Sequence, residues 1–272
     1  MPPPGEREAI WRNADRRQAR FDAHAAAYDA YRPGYPEESF DDLLALAGLS
    51  TGDAVVEIGS GTGIATLPLA RRGLTVTGLE PGAAMAAIAR AKLAGFERTT
   101  FEPTRFEEWV PPPERVRAVV AANAWHWVAP EESYDRAAAA LAPGGCLCLL
   151  FHHVVQVGPD GFTAALGAER DAIAPLPEAE RRAGAFLEQH VWADEMEASG
   201  RFTHVATTRH VFTRRLSARQ FVDVTNTYGP NSQLDPGDLA RWEAATMRLI
   251  DEEYGGAIDK TEEAVLTVGR VR

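Results

Sequence analysis

Val55-Val56-Glu57-Ile58-Gly59-Ser60-Gly61-Thr62-Gly63 joins a short, mostly apolar run to a series of alternating glycines. Ala54 to Ile58 reads as a buried strand, and Gly59 to Gly63 as the loop that turns it into a helix over 64–72. Glycine lets the backbone turn tightly and lets a ligand approach closely. Three alternating glycines exceed what an ordinary strand-to-helix turn needs. A dinucleotide fingerprint begun at Gly59 would need Gly or Ala at position 64, where the chain has Ile64. Glu57 stands two residues before the first glycine. A carboxylate there repels a pyrophosphate and suits a ligand with a cationic, ammonium-bearing tail.

Outward from this loop the pattern alternates. Strands are predicted at 74–79, 99–102, 116–122 and 146–151, and helices at 82–93 and 131–141. Pro143-Gly144-Gly145 reads as a turn. Apolar strands alternating with helices mean a parallel sheet covered on both faces. Upstream, 6–31 reads as helix, Arg32-Pro33-Gly34-Tyr35-Pro36 as a break, and 37–48 as a second helix. Downstream, 161–200 reads as helical with a break at 175–177. Strands follow at 202–214 and 263–271, expected to pair as an antiparallel hairpin interrupted by helices at 217–226 and 238–254.

With 272 residues, 45% of them hydrophobic and 25% charged, the chain fits one α/β domain with an added cap or insertion. Its 28 basic and 39 acidic residues leave a net charge of −11, which repels a phosphate backbone, so a nucleic-acid partner is not expected. Cys146 and Cys148 share a strand face and would close almost no loop, which argues against a disulfide. Cys/His metal spacing is absent, so no metal is expected. The first residues lack a signal peptide's apolar stretch, and the longest apolar run, 146–151, is too short to span a bilayer. A cytoplasmic protein without a membrane partner, monomeric or homodimeric, is the expectation.

A second carboxylate, Glu80, ends the next strand, 23 residues after Glu57. A carboxylate at that place can accept both hydroxyls of a ribose. The ligand implied has a ribose and an amino-acid-like tail but no phosphates, a description that S-adenosylmethionine meets. Val55 to Gly63, Gly78-Leu79-Glu80-Pro81 and Leu141-Ala142-Pro143-Gly144-Gly145 together resemble the motifs of class I S-adenosylmethionine-dependent methyltransferases over roughly residues 20–151. Tyr28 to Pro36 and Ala124-Trp125-His126-Trp127 resemble a bacterial subgroup, with a type 11-like domain, that acts mostly on small molecules.

The resemblance implies an α/β fold with a Rossmann-like, doubly wound, seven-stranded sheet, mostly parallel with its last strand antiparallel. A helical lid over 1–50, a cofactor-binding core over 51–151 and a substrate side over 152–272, with a helical insertion near the C-terminus, would complete a single domain. Carried over by position, Gly59, Ser60, Gly61 and Gly63 cradle the methionine part, with Glu57 beside them. Glu80 holds the ribose, and Pro81 and Met85 border the adenine. Phe106 and Glu107 belong to the segment beside the adenine ring, and Asn123 lies near the sulfonium. Tyr28 and Arg32 of the lid meet the cofactor carboxylate, Arg being suited to bidentate pairing.

A sulfonium methyl is already electrophilic, so the protein must mainly align a nucleophile and exclude water. Residues just beyond the fourth and fifth strands are the catalytic candidates: His126, and His152 beside His153. Either His126 or His152 could act as general base or orient a small-molecule acceptor, with Tyr31 of the lid as a further candidate. Trp125, Trp127, Trp192 and Trp242 read as core or pocket wall, His153 as exposed, and Arg209 to Arg219 as a solvated charged face. Thr225 to Asn231 is a polar loop rich in donors. Two other readings stand beside methyl transfer: a non-catalytic S-adenosylmethionine-binding subunit, and a nicotinamide-dependent oxidoreductase, which Ile64 and Glu57 oppose.

Overall fold

A computed structural model describes residues 10–11, 19, 21–189, 192–228, 231 and 234–272. Most of the predicted 6–20 helix segment and Gly229-Pro230 of the polar loop lie outside the described residues. The elements run α1 (Ala25–Tyr31), α2 (Glu37–Ala47), β1 (Ala54–Ile58), α3 (Thr66–Arg71), β2 (Thr75–Leu79), α4 (Ala83–Lys92), β3 (Thr99–Glu102) and β4 (Val116–Ala122). Then come α5 (Ser133–Ala140), β5 (Leu141–Val157), α6 (Phe162–Ile173), α7 (Glu178–Gln189), α8 (Ala193–Ala198), β6 (Phe202–Ser217), α9 (Ala218–Asn226), α10 (Pro236–Glu253) and β7 (Ala257–Val271).

One seven-stranded sheet has the order β3-β2-β1-β4-β5-β7-β6. β1 lies between β2 and β4, parallel to both, and β7 is antiparallel to β5 and β6. Val55, Val56, Val119, Val120, Leu147 and Leu149 are buried because helices cover both faces. One face packs Phe40, Leu43 and Ala47 of α2 on Val55, Val76, Ala118 and Val120. The other packs Trp125, Tyr134, Trp192 and Phe202 on Val56, Val119, Leu147 and Leu149. Among the described residues of the 1–50 segment expected as lid, the part around α1 stands over the strand ends, while α2 is a layer of the core. The chain winds one way from β1 to β3 and the other way from β4 onward. The loops after β1 and β4 therefore diverge and open a crevice.

Pro143-Gly144-Gly145, expected as a turn, is a bulge within β5. Pairing jumps from Val116↔Leu141 to Ala118↔Cys146, and Gly144 takes the surplus chain at φ 75°. The hairpin is as expected, paired from Phe202↔Val271 to Ser217↔Ala257, but β7 starts six residues before the predicted Glu263. Lys260 and Glu262 occupy inward positions there, so charge masked the alternation. Among the described residues, no helix is long and apolar enough to cross a membrane.

Candidate functional site

A cavity of about 530 Å³ opens at the crevice. Its floor is Gly59 and Gly61 after β1, Glu80, Pro81 and Met85 after β2, Thr104 to Glu107 after β3, and Asn123, His126 and Trp127 after β4. Phe21, Tyr28 and Arg32 roof it from the lid. A polar annex of about 30 Å³ continues past Tyr28, Arg32 and Asn123 to Glu57, Ser60 and Thr62.

The loop reaches this shape through left-handed backbone at Gly59, Gly61 and Gly63, with φ of 61°, 56° and 80°. A Cβ at Gly59 would lie 2.8 Å from the Ala124 Cβ, so glycine there brings the loop against the end of β4. Gly63 lines neither cavity nor annex. A Cβ on it would lie 2.7 Å from Leu93 Cδ1, so its place is a packing seam against α4 rather than the expected cradle. The Ser60 and Thr62 hydroxyls are buried in the annex wall without hydrogen-bond partners among the described residues.

Glu57 is 1% exposed and accepts a 2.6 Å hydrogen bond from the Thr66 hydroxyl. Burial raises its pKa to about 8, against the opposing Thr66 bond, so at neutral pH it is mostly protonated. Glu80 accepts from the Gly82 amide at 2.7 Å on Oε1 and from the Gly61 amide at 2.9 Å on Oε2. Burial raises its pKa too, and those two amides oppose the shift. Each oxygen retains a lone pair for a group in the cavity.

The lid is tied down at three points. Asp22 Oδ1 accepts from the Ala84 amide at 2.7 Å and the Met85 amide at 3.1 Å, and so caps α4 from across the chain. Asp29 pairs with Lys92. Arg32 Nη2 donates to the Thr227 carbonyl at 2.9 Å, with its guanidinium over the Tyr28 and Tyr228 rings at 4.9 and 4.1 Å. The structure does not bring Tyr31 to the site: it is 39% exposed and lines neither hollow, because α1 turns its ring outward.

His126 and His152 both line the cavity. The His152 ring packs against Tyr35, centroids 4.1 Å apart and planes tilted by 35°, and its amide donates to Asn123 Oδ1 at 3.0 Å. Asn123 sits at φ 51° at the end of β4, with its side chain turned to the His152 amide within β5. Burial lowers the His152 pKa to about 3, so the imidazole is neutral across the physiological range. His153, expected exposed, is 4% exposed, because strand alternation turns it with Phe151 into the opposite core layer. Phe106 and Glu107 border the cavity, and Glu107 accepts from the Ala129 amide at 2.7 Å. Trp127 is cavity wall, whereas Trp125, Trp192 and Trp242 are buried and line neither hollow. Of the arginines expected as a solvated face, Arg209, Arg215 and Arg219 are exposed and pair with Glu263, Asp259 and Asp223, whereas Arg214 turns inward to Glu262, which reaches the cavity. Glu262 and its neighbour Lys260 were not singled out from the sequence. The signal that could have found them is two opposite charges at i and i+2 on one strand face. Among the described residues, no group of three or more His, Cys, Asp or Glu could hold a metal.

The model of a methyltransferase domain family matches residues 55–145, a third of the chain. An uncharacterized methyltransferase of Mycobacterium tuberculosis is 36% identical over 132 residues, 48% of this chain and 51% of that protein. The chain thus matches about half the length of such curated relatives. A structure from Anaeromyxobacter dehalogenans, assigned as a type II methyltransferase, aligns with TM-score 0.61 at 19% identity, over 88% of this chain and 98% of that one. A methyltransferase from Geobacter sulfurreducens in complex with S-adenosyl-L-homocysteine aligns with TM-score 0.52 at 13% identity, over 90% and 96%. These likenesses at low identity define the fold.

Proposed function

We propose that this protein transfers a methyl group from S-adenosylmethionine to a small-molecule acceptor, and that residues 1–272 act as one unit in doing so. The observation that carries the reading is Glu80. It is a buried carboxylate at the end of β2, oriented by the Gly61 and Gly82 amides and facing a cavity floored by glycine. Two fixed acceptor oxygens match the two hydroxyls of a ribose. The annex matches an amino-acid tail, with Glu57 for its ammonium, Arg32 for its carboxylate, and the unpartnered Ser60 and Thr62 hydroxyls between. Pro81, Met85 and Phe106 offer apolar contacts, and Glu107 a carboxylate, where an adenine would lie.

The cofactor supplies an electrophilic methyl on a sulfonium. What remains for the chain is to bind, align and exclude water. Asn123, held by the His152 amide, stands between cavity and annex, and Phe21, Tyr28 and Arg32 close the roof. His152 is too weak a base at about 3 to take up a proton efficiently near neutral pH, so it orients the acceptor as a neutral imidazole. His126, beside Trp127 and Phe151, is the candidate base. Calorimetric titration with S-adenosylhomocysteine tests the reading, followed by transfer of a labelled methyl to a panel of acceptors. Stoichiometric binding supports it, and absence of binding refutes it. Binding without turnover over a broad panel would favour a non-catalytic subunit.

A further inference from the structure

The cavity has a charged end that the cofactor residues do not use. Val154 pairs with Glu262 and His152 with Ala264, so His152 and Glu262 are diagonal neighbours on one sheet face, about 7–8 Å apart. Lys260 lies two residues before Glu262 on that face, with Arg214 opposite it on β6. Lys260 Nζ donates to Glu262 Oε1 at 2.7 Å, and Arg214 Nη2 donates to Oε2 at 2.6 Å. Burial pushes the Glu262 carboxyl up, but Lys260 and Arg214 together hold it below the usual carboxylate range, so it is ionised. Two cations face one carboxylate, and Lys260 and Glu262 are buried. With Arg214 about a quarter exposed, the cluster carries a net positive charge only partly screened by water, an arrangement that a counter-anion relieves.

Tyr228 connects this cluster to the cavity. Its hydroxyl accepts from Lys260 Nζ at 2.8 Å, so its own proton must go elsewhere. Among the described residues no acceptor takes that proton. The Arg32 guanidinium lies over the Tyr228 ring, and Phe21, Trp127, Phe151 and Leu187 supply apolar wall elsewhere in the same cavity.

We propose that Tyr228, backed by Lys260 and Arg214, anchors the acceptor, and that this acceptor carries an acidic oxygen group (a phenol, enol or carboxylic acid) on an apolar body, bound as its anion. The proposal rests on the methyltransferase reading and names its substrate class. Tyr228 donates to the anionic oxygen, and the surplus positive charge behind it compensates the charge. Both Glu262 oxygens already accept from their partners, which mutes repulsion of an incoming anion. An ammonium head would meet uncompensated like charge, and a purely apolar molecule would leave the Tyr228 proton unused.

The test uses the protein saturated with S-adenosylhomocysteine and 4-nitrophenol as probe, whose phenolate absorbs visible light. Matched 4-nitrotoluene and 4-nitrobenzylammonium serve as the neutral and cationic comparisons. The expected result is binding of 4-nitrophenol as phenolate, with its bound ionisation shifted down by about one pH unit, a tenfold preference for the anion. Tyr228→Phe, which keeps the ring and spares the ion pairs, should weaken phenolate binding at least tenfold and leave S-adenosylhomocysteine affinity within twofold. Lys260→Met should act in the same direction. The proposal is overturned if the neutral or cationic probe binds as well as the phenolate, if no probe binds, or if Tyr228→Phe binds phenolate like wild type. Failure of wild-type protein to bind S-adenosylhomocysteine would instead overturn the underlying reading.

Discussion

Replacing Glu57 by Gln separates the charge of that position from its shape. Gln keeps an oxygen that can accept the Thr66 hydroxyl but cannot ionise. With a pKa of about 8, Glu57 is roughly 90% protonated at pH 7 and about 10% protonated at pH 9 in the empty protein. An ammonium arriving in the annex favours the carboxylate and pulls that pKa down. Binding of S-adenosylhomocysteine should therefore release about 0.9 proton at pH 7, falling to about 0.1 at pH 9. Calorimetry in two buffers of different ionisation enthalpy, phosphate and Tris, reads this directly as a difference in apparent binding heat. In Glu57→Gln that contribution should vanish and affinity should fall, most at pH 9, where the wild-type carboxylate is already charged. The same shift sets the sign for folding. Because the folded pKa lies above the unfolded one, stability from this group is full below the usual glutamate range. It is lost by about 1.4 kcal/mol per pH unit as pH rises towards about 8. Glu57→Gln should thus be stabilised relative to wild type at pH 8 and not at pH 4. Equal binding heats in both buffers at pH 7, with Glu57→Gln binding normally at pH 9, would refute the placement of an ammonium beside Glu57.

Asp22→Ala removes the cross-chain cap on the Ala84 and Met85 amides, so thermal unfolding should show a loss of about 1 kcal/mol. The lid loses an anchor with it, and S-adenosylhomocysteine should dissociate faster in stopped flow. Glu262→Gln leaves Lys260 and Arg214 with an uncompensated buried charge and should cost about 3–5 kcal/mol by denaturant titration. Replacing Arg214, Lys260 and Glu262 together by apolar residues of similar size should cost less. Gly63→Ala forces a side chain into left-handed backbone against Leu93 and should destabilise by about 1–3 kcal/mol in thermal melts. His152 stays neutral down to about 3, so its imidazole resonances should not titrate between pH 5 and 8 by NMR.

The half of the site made by local sequence was readable. A strand, three glycines and a carboxylate two residues upstream fix their own geometry, and Glu80 follows from the end of the next strand. Gly63 and Tyr31 show the limit of that reading. One is a glycine of the same motif that faces α4, and the other lies on a helix whose rotation decides which aromatic enters the cavity. Tyr28 and Tyr31 are three residues apart, too close for sequence to say which side of α1 is roof. His153 was misjudged because a strand covered on both faces buries consecutive residues, whatever their polarity. Tyr228 was legible only as one residue of a polar loop, and Lys260 and Glu262 were illegible for a different reason. Their meeting with Arg214 and the cavity depends on the register of β7 with β6 and β5, where Lys260 pairs with the distant Arg214 and Glu262 with the still more distant Val154. Charged residues in inward positions also hid the start of β7. The acceptor side of such a fold is assembled from distant segments, whereas the cofactor side is assembled largely from consecutive ones.

A crystal structure of the protein with S-adenosylhomocysteine tests the central claim most directly, through the position of the ribose. The account predicts both ribose hydroxyls within about 3 Å of the Glu80 carboxylate, and the amino-acid tail in the annex among Glu57, Ser60 and Arg32. A ribose lying away from Glu80, or a tail pointing out of the annex, would contradict it.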